Sequence, residues 1–170
     1  MSTTYPKATT VTIGYDQIED RMFLVLYLQD GGSRKAYISR RLLGMLLKSM
    51  GEKLTSTSPT ASRTPDSAEV MQMEHIAAVV NRKPGVVPKT TQPESAKPYY
   101  ATEAQIQTQG DTLILGLKSV DTEPIAALAL KRAEAHQILR MLRDQADKAG
   151  WGLEQPAEWM RPMEYGKGGD

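Results

Sequence analysis

The feature that most constrains this chain is a pattern that occurs twice along it: strand, strand, strand, helix. In the first pass Val11, Ile13 and Tyr15 alternate with smaller residues, Asp16 to Asp20 make a polar corner, and Met22 to Leu28 reads MFLVLYL. Gln29-Asp30-Gly31-Gly32-Ser33 supplies hairpin residues, and Arg34 to Ile38 forms the returning strand. Ser39 can then cap a helix from about Arg40 to Leu54, with Leu42, Leu43, Met45, Leu46, Leu47 and Met50 as its apolar stripe. The second pass runs from Tyr99 to Thr108, turns at Gln109-Gly110-Asp111, and continues from Thr112 to Lys118 with Leu113, Leu115 and Leu117 on one face. A turn from Val120 to Pro124, a strand from Ile125 to Leu130 and a helix from Ala133 to Ala149 complete it, with Gly150 as the stop.

A three-stranded sheet with one helix buries a single face and is marginal at about 50 residues, so two such units gain by packing together. The expectation is therefore an α+β fold in which two strand-strand-strand-helix units form one pseudo-twofold domain. The sheets could join edge to edge beneath two helices or pack face to face, and the pattern allows both. Residues 1–54 hold the first unit and 99–150 the second, with a tail over 151–170. Between the units, 55–98 reads as a Ser/Thr/Pro-rich, partly disordered linker, from TSTSPTASRTPDS to NRKPGVVPKTTQPESAKP. Within it Thr64 and Pro65 suggest the start of one short helix over about 65–80, which places Val70, Met73, Ile76, Ala77 and Val80 on one face. In the tail, Trp151, Trp159 and Met160 carry enough apolar area to dock.

The 170 residues include no cysteine, which excludes disulfides, thiolate metal sites and cysteine catalysis. No apolar run approaches the roughly 20 residues of a membrane-spanning helix, and MSTTYPKATT lacks the pattern of a secretory signal. These features lead us to expect a cytoplasmic protein with no membrane partner. His75 and His136 fall in separate helical segments, neither with a ligand-type residue at i+4, so both are expected at the surface or its boundary and no metal is expected. Glu19-Asp20, Asp121 to Glu123 and Asp144 to Asp147 fall at turns or on solvated faces, and no nucleophile elbow or phosphate-binding glycine loop occurs. The expectation is a protein that is not an enzyme and needs no cofactor.

The basic pairs Arg40-Arg41 and Lys131-Arg132 stand at helix amino ends, where the macrodipole disfavours a cation. A phosphate backbone would compensate, with Arg34 and Lys35 nearby and Tyr27 and Tyr37 available to stack on bases. Local carboxylates such as Glu134 would compensate equally well. The formal net charge is only +1, a small excess for a dedicated nucleic-acid binder.

The stretch IEDRMFLVLYLQDGGSRKAYISRRLLGMLL resembles a pattern in small uncharacterised bacterial proteins, in which an acidic turn, a leucine-rich strand and a Ser-Arg-Arg helix start follow in that order. The likeness covers about a fifth of the chain and implies no activity. The duplicated strands followed by a helix are also similar in outline to the single-strand-binding coactivator and Whirly folds, which use four strands per unit where three are seen here. The leading expectation is a non-catalytic protein-binding or assembly module of a bacterial cytoplasmic complex. Its partner, or a second copy, would be held by Val70, Met73, Ile76 and Val80, on a helix that folds or docks on contact. The alternatives are a single-stranded nucleic-acid binder using Arg34, Lys35, Arg40, Arg41, Lys131, Arg132, Tyr27 and Tyr37, and a structural component of a phage or secretion particle.

Overall fold

In the computed structural model, which describes residues 4–83, 97–153 and 158–160, six strands close into a barrel in chain order. β1 (Lys7–Asp16), β2 (Arg21–Leu28) and β3 (Ser33–Ile38) form an antiparallel meander that leads into α1 (Arg40–Thr57). After α2 (Ser67–Val80) the meander recurs as β4 (Tyr99–Gln109), β5 (Thr112–Ser119) and β6 (Pro124–Lys131), followed by α3 (Arg132–Lys148). The fold is α+β, and the repeat read in the sequence is real.

Of the two packings left open, the molecule adopts the edge-to-edge one and then closes it. A three-stranded meander has two bare edges, and joining both pairs of edges removes them all. One seam pairs β3 with β4 in parallel from Ala36↔Tyr99 to Ile38↔Ala101. The other pairs β1 with β6 in parallel at Lys7↔Ala127 and Ala8↔Leu128. Strand alternation then sends Ile13, Leu24, Leu26, Leu115, Leu117 and Leu128 inward, where they share one core with Leu43, Leu46 and Met50 of α1 and Leu139 and Leu142 of α3. Arg34 lies on this inward side at the barrel's end: its guanidinium donates to the carbonyls of Pro124 (3.2 Å) and Ile125 (3.0 Å) and covers the Tyr99 ring.

Ser39 caps α1 as expected, its hydroxyl accepting from the Leu42 N–H at 3.2 Å. The helix runs past Leu54 to Thr57, into residues whose composition suggests linker. The Thr55 and Thr57 hydroxyls donate to the carbonyls of Gly51 (2.9 Å) and Lys53 (2.6 Å), so both hydroxyls are satisfied on the helix itself. α2 begins at Ser67 rather than Pro65, because the Thr64 hydroxyl accepts from the Asp66 N–H and forms a turn there. Gly150 takes a left-handed φ of 70° just past α3, and Trp151 then packs edge-on against Tyr15. The proline-rich stretch over 84–96, and Pro156, Pro162 and residues 166–170 of the tail, lie outside the described residues.

Candidate binding surface and buried histidine cluster

α2 is not an isolated linker helix. Met71, His75 and Ala78, at spacings of four and three, are buried against α3 and the short 3-10 turn Glu158–Met160. The sequence pattern selects a different face, and the structure divides its residues. Val70 is half-buried against the core and Ile76 is half-buried, while Met73 and Val80 stand 72% and 76% exposed. Met73, Ile76 and Val80 thus form an apolar stripe on a helix that is already anchored from behind. The carboxyl end of α2 borders a cleft of about 210 Å³ where the short β1–β6 seam parts. Leu128, Leu130, Ile138 and Met141 contribute apolar wall to this cleft, and Arg82 and Lys83 line it.

The eight residues of the nucleic-acid reading are not brought to one surface. Arg34 is held at the barrel end, as described above. Tyr27 is buried, its hydroxyl accepting from Thr12, and Tyr37 is buried with its hydroxyl donating to Asp16 at 2.9 Å. Tyr37 also stacks on Tyr100, while Lys35 lies across the Phe23 and Tyr37 rings at 4.5 and 5.0 Å. Arg40 and Arg41 are exposed at the end of β3, beside the beginning of β4. Lys131, also exposed, ends β6 opposite Thr112, at the far end of β4, so the two basic pairs leave the barrel at different places.

Arg132 shows what compensates a cation at the first position of α3. It donates to Glu74 of α2 through Nε (2.7 Å) and Nη2 (3.2 Å), and to the Leu54 carbonyl (2.9 Å) and the Thr57 hydroxyl (2.7 Å) at the end of α1. The carboxyl end of one helix thus offsets the unfavourable amino end of the other. Glu134 accepts from the Lys131 N–H at 3.1 Å and places a carboxylate in the first turn of α3.

The expectation that both histidines lie at the surface is overturned. His75 is 4% exposed and His136 0%, and their Nδ1 atoms meet at 3.0 Å. They are 61 positions apart in the chain, and docking α2 on α3 is what joins them. The Trp159 indole stands edge-on to both rings at 5.4 and 5.3 Å, and its Nε1 donates to the Thr55 hydroxyl. His136 Nε2 lies 3.3 Å from Glu74 Oε1 without hydrogen-bond geometry. Burial pushes His75 down to about 4, with His136, Arg140 and Arg143 adding to the effect. Burial also lowers His136, against the pull of Glu74. Burial works to raise Glu74, but Arg132 outweighs it and holds the carboxyl below its ordinary value. At neutral pH both rings are therefore uncharged, and the ion pair in the cluster is Arg132–Glu74. Among the described residues no three His, Cys, Asp or Glu side chains come together as a metal site.

These observations define an α+β protein built as a closed six-stranded barrel from two meander-helix units, with a docked helix between them. No protein-family profile matches the chain, and no curated protein or solved structure matches it significantly. No helix among the described residues is long and apolar enough to cross a membrane.

Proposed function

We propose that this chain is a non-catalytic protein-binding module of a bacterial cytoplasmic assembly, and that it holds its partner on the outer face of α2. The observation that carries this reading is the exposure of Met73 and Val80 on a helix whose opposite face is fixed by Met71, His75 and Ala78. An ordered helix binds without the entropic cost of folding on contact, which makes exposed apolar side chains on it effective anchors. Arg82 and Lys83 outnumber Glu134, the one carboxylate in the lining of the cleft, and so favour a partner segment in which apolar residues are flanked by carboxylates. The nucleic-acid reading is less well supported, because Arg34, Arg132, Tyr27 and Tyr37 are engaged within the molecule.

A photo-crosslinking side chain placed at Met73, with Val120 as an exposed control position, tests the reading in cells. The expected result is one protein adduct from position 73 and none from 120. Binding of that protein in purified form should weaken at least about tenfold in the Met73→Asp/Val80→Asp variant. An adduct whose affinity the double variant leaves unchanged would overturn the reading. So would salt-sensitive binding of a mixed-sequence single strand that is lost in Arg40→Ala/Arg41→Ala, which would establish the nucleic-acid class instead.

A further inference from the structure

We infer that the His75–His136 contact is an acid-sensitive latch, which holds the Trp159 turn and α2 against α3 while at least one ring is neutral and lets them go when both rings are protonated. The argument begins from the 3.0 Å between the two Nδ1 atoms. At that distance one nitrogen must donate an N–H and the other must accept with a lone pair. Two neutral rings, or one neutral and one charged, satisfy this. Two imidazolium rings cannot, because both Nδ1 atoms then carry protons that point at each other and both charges are buried.

The surroundings decide the order of protonation. From α2, Glu74 lies beside His136 Nε2 and favours a first proton there, which leaves the Nδ1 contact intact. From α3, Arg132 neighbours His136, and Arg140 and Arg143 oppose charge on His75. α1 presents the Thr55 hydroxyl and the Leu54 carbonyl to the cluster, and the 3-10 turn presents Trp159, with Arg143 donating to the Met160 carbonyl. The second proton, on His75 Nδ1, is the one that breaks the contact. His136 and the Trp159 indole both pack against the His75 ring, so opening the turn and α2 returns that ring toward water. Between about pH 6.5 and 4 the open form gains on the closed one by up to about tenfold per pH unit for this one group. This inference does not depend on what binds the outer face of α2.

The test is a pH titration of the full chain labelled with fluorotryptophan and followed by fluorine NMR, with Trp159→Phe assigning the two resonances. The latch predicts that the Trp159 resonance moves to a solvent-exposed position as the pH falls from about 6.5 toward 4, while Trp151 keeps its buried position. Imidazole chemical shifts should report protonation over the same interval. In His75→Asn, which keeps a polar atom near the Nδ1 position and does not titrate, the Trp159 transition should move down by at least about one pH unit. The inference fails if both tryptophans respond together, if Trp159 stays buried until circular dichroism reports global unfolding, or if a folded His75→Asn protein behaves like the wild type. Should that variant not fold, the unmodified protein decides: release of Trp159 at a pH where neither imidazole titrates overturns the latch.

Discussion

Single side chains do more joining here than their positions in the sequence announce. Arg132 follows a lysine at a helix start, where its charge is unfavourable, and only the docked end of α1 and Glu74 in the middle of α2 explain it. Replacing it with Met removes the partner of a partly buried Glu74 together with the bonds to Leu54 and Thr57. We expect a loss of about 2 kcal/mol in urea unfolding, the scale of hydrogen bonds to a charged group. Glu74→Gln should lose less, and the double variant should show a coupling of about 1 kcal/mol if the pair acts as a unit. Gly14 makes a separate point. A Cβ built there would enter the Phe23 ring, which lies beneath Lys35, so Gly14→Ala should cost about 1–3 kcal/mol, with most of it recovered on combining it with Phe23→Leu. A glycine in an alternating strand signals a close approach, but it does not say which ring approaches.

At the scale of elements, the strands and helices were legible because their patterning is local, and α2 shows where local patterning ends. Its existence follows from the spacing of Val70, Met73, Ile76 and Val80. The choice of buried face does not, because Met71, Ala78 and Val79 make the other sides nearly as apolar and His75 reads as polar. His75 is buried because His136 and Trp159, distant in the chain, supply a hydrogen bond and an aromatic wall. The same distance hid the histidine cluster, since neither ring has a partner within its own helix. The α1 extension was hidden for the same reason: Arg132 donates to the Leu54 carbonyl and the Thr57 hydroxyl and Trp159 to the Thr55 hydroxyl, and these distant partners hold linker-like composition in a helix. The two faces of α2 are separable by experiment. Met71→Ala should destabilise the protein by about 2–4 kcal/mol, as a fully buried methionine does, whereas Met73→Ala should fall within about 0.5 kcal/mol of wild type by thermal or urea unfolding.

For the whole molecule, the repeat predicts two units, but the closure rests on parallel seams of three and two residue pairs, too short to leave a periodic trace in the sequence. Closure puts both units and all three helices around shared contacts, so the histidine cluster between α2 and α3 is coupled to global stability and its ionisation is read there. His75 is held down to about 4, below its ordinary value of 6.5. Above that ordinary value the ring is neutral whether the chain is folded or unfolded, and pH has no effect through it. Between 6.5 and about 4 the unfolded chain takes up a proton that the closed folded form refuses, so stability falls as the pH falls, by at most on the order of 3 kcal/mol across the window and by less once the turn and α2 have opened. His136, also lowered by burial, acts in the same direction. Asp16, Asp20 and Glu74 have lowered values, so their contributions are present above the ordinary carboxylate range and fade only at more acid pH. The interval from about pH 6.5 to 5 therefore belongs to the histidines. Urea midpoints measured at half-unit steps from pH 8 to 5 should be level above about 7 and then decline, and His75→Asn should flatten most of that decline. A slope that persists unchanged in the variant would mean that His75 binds its proton equally well in the closed folded molecule and in the unfolded chain, so that its burial carries no penalty.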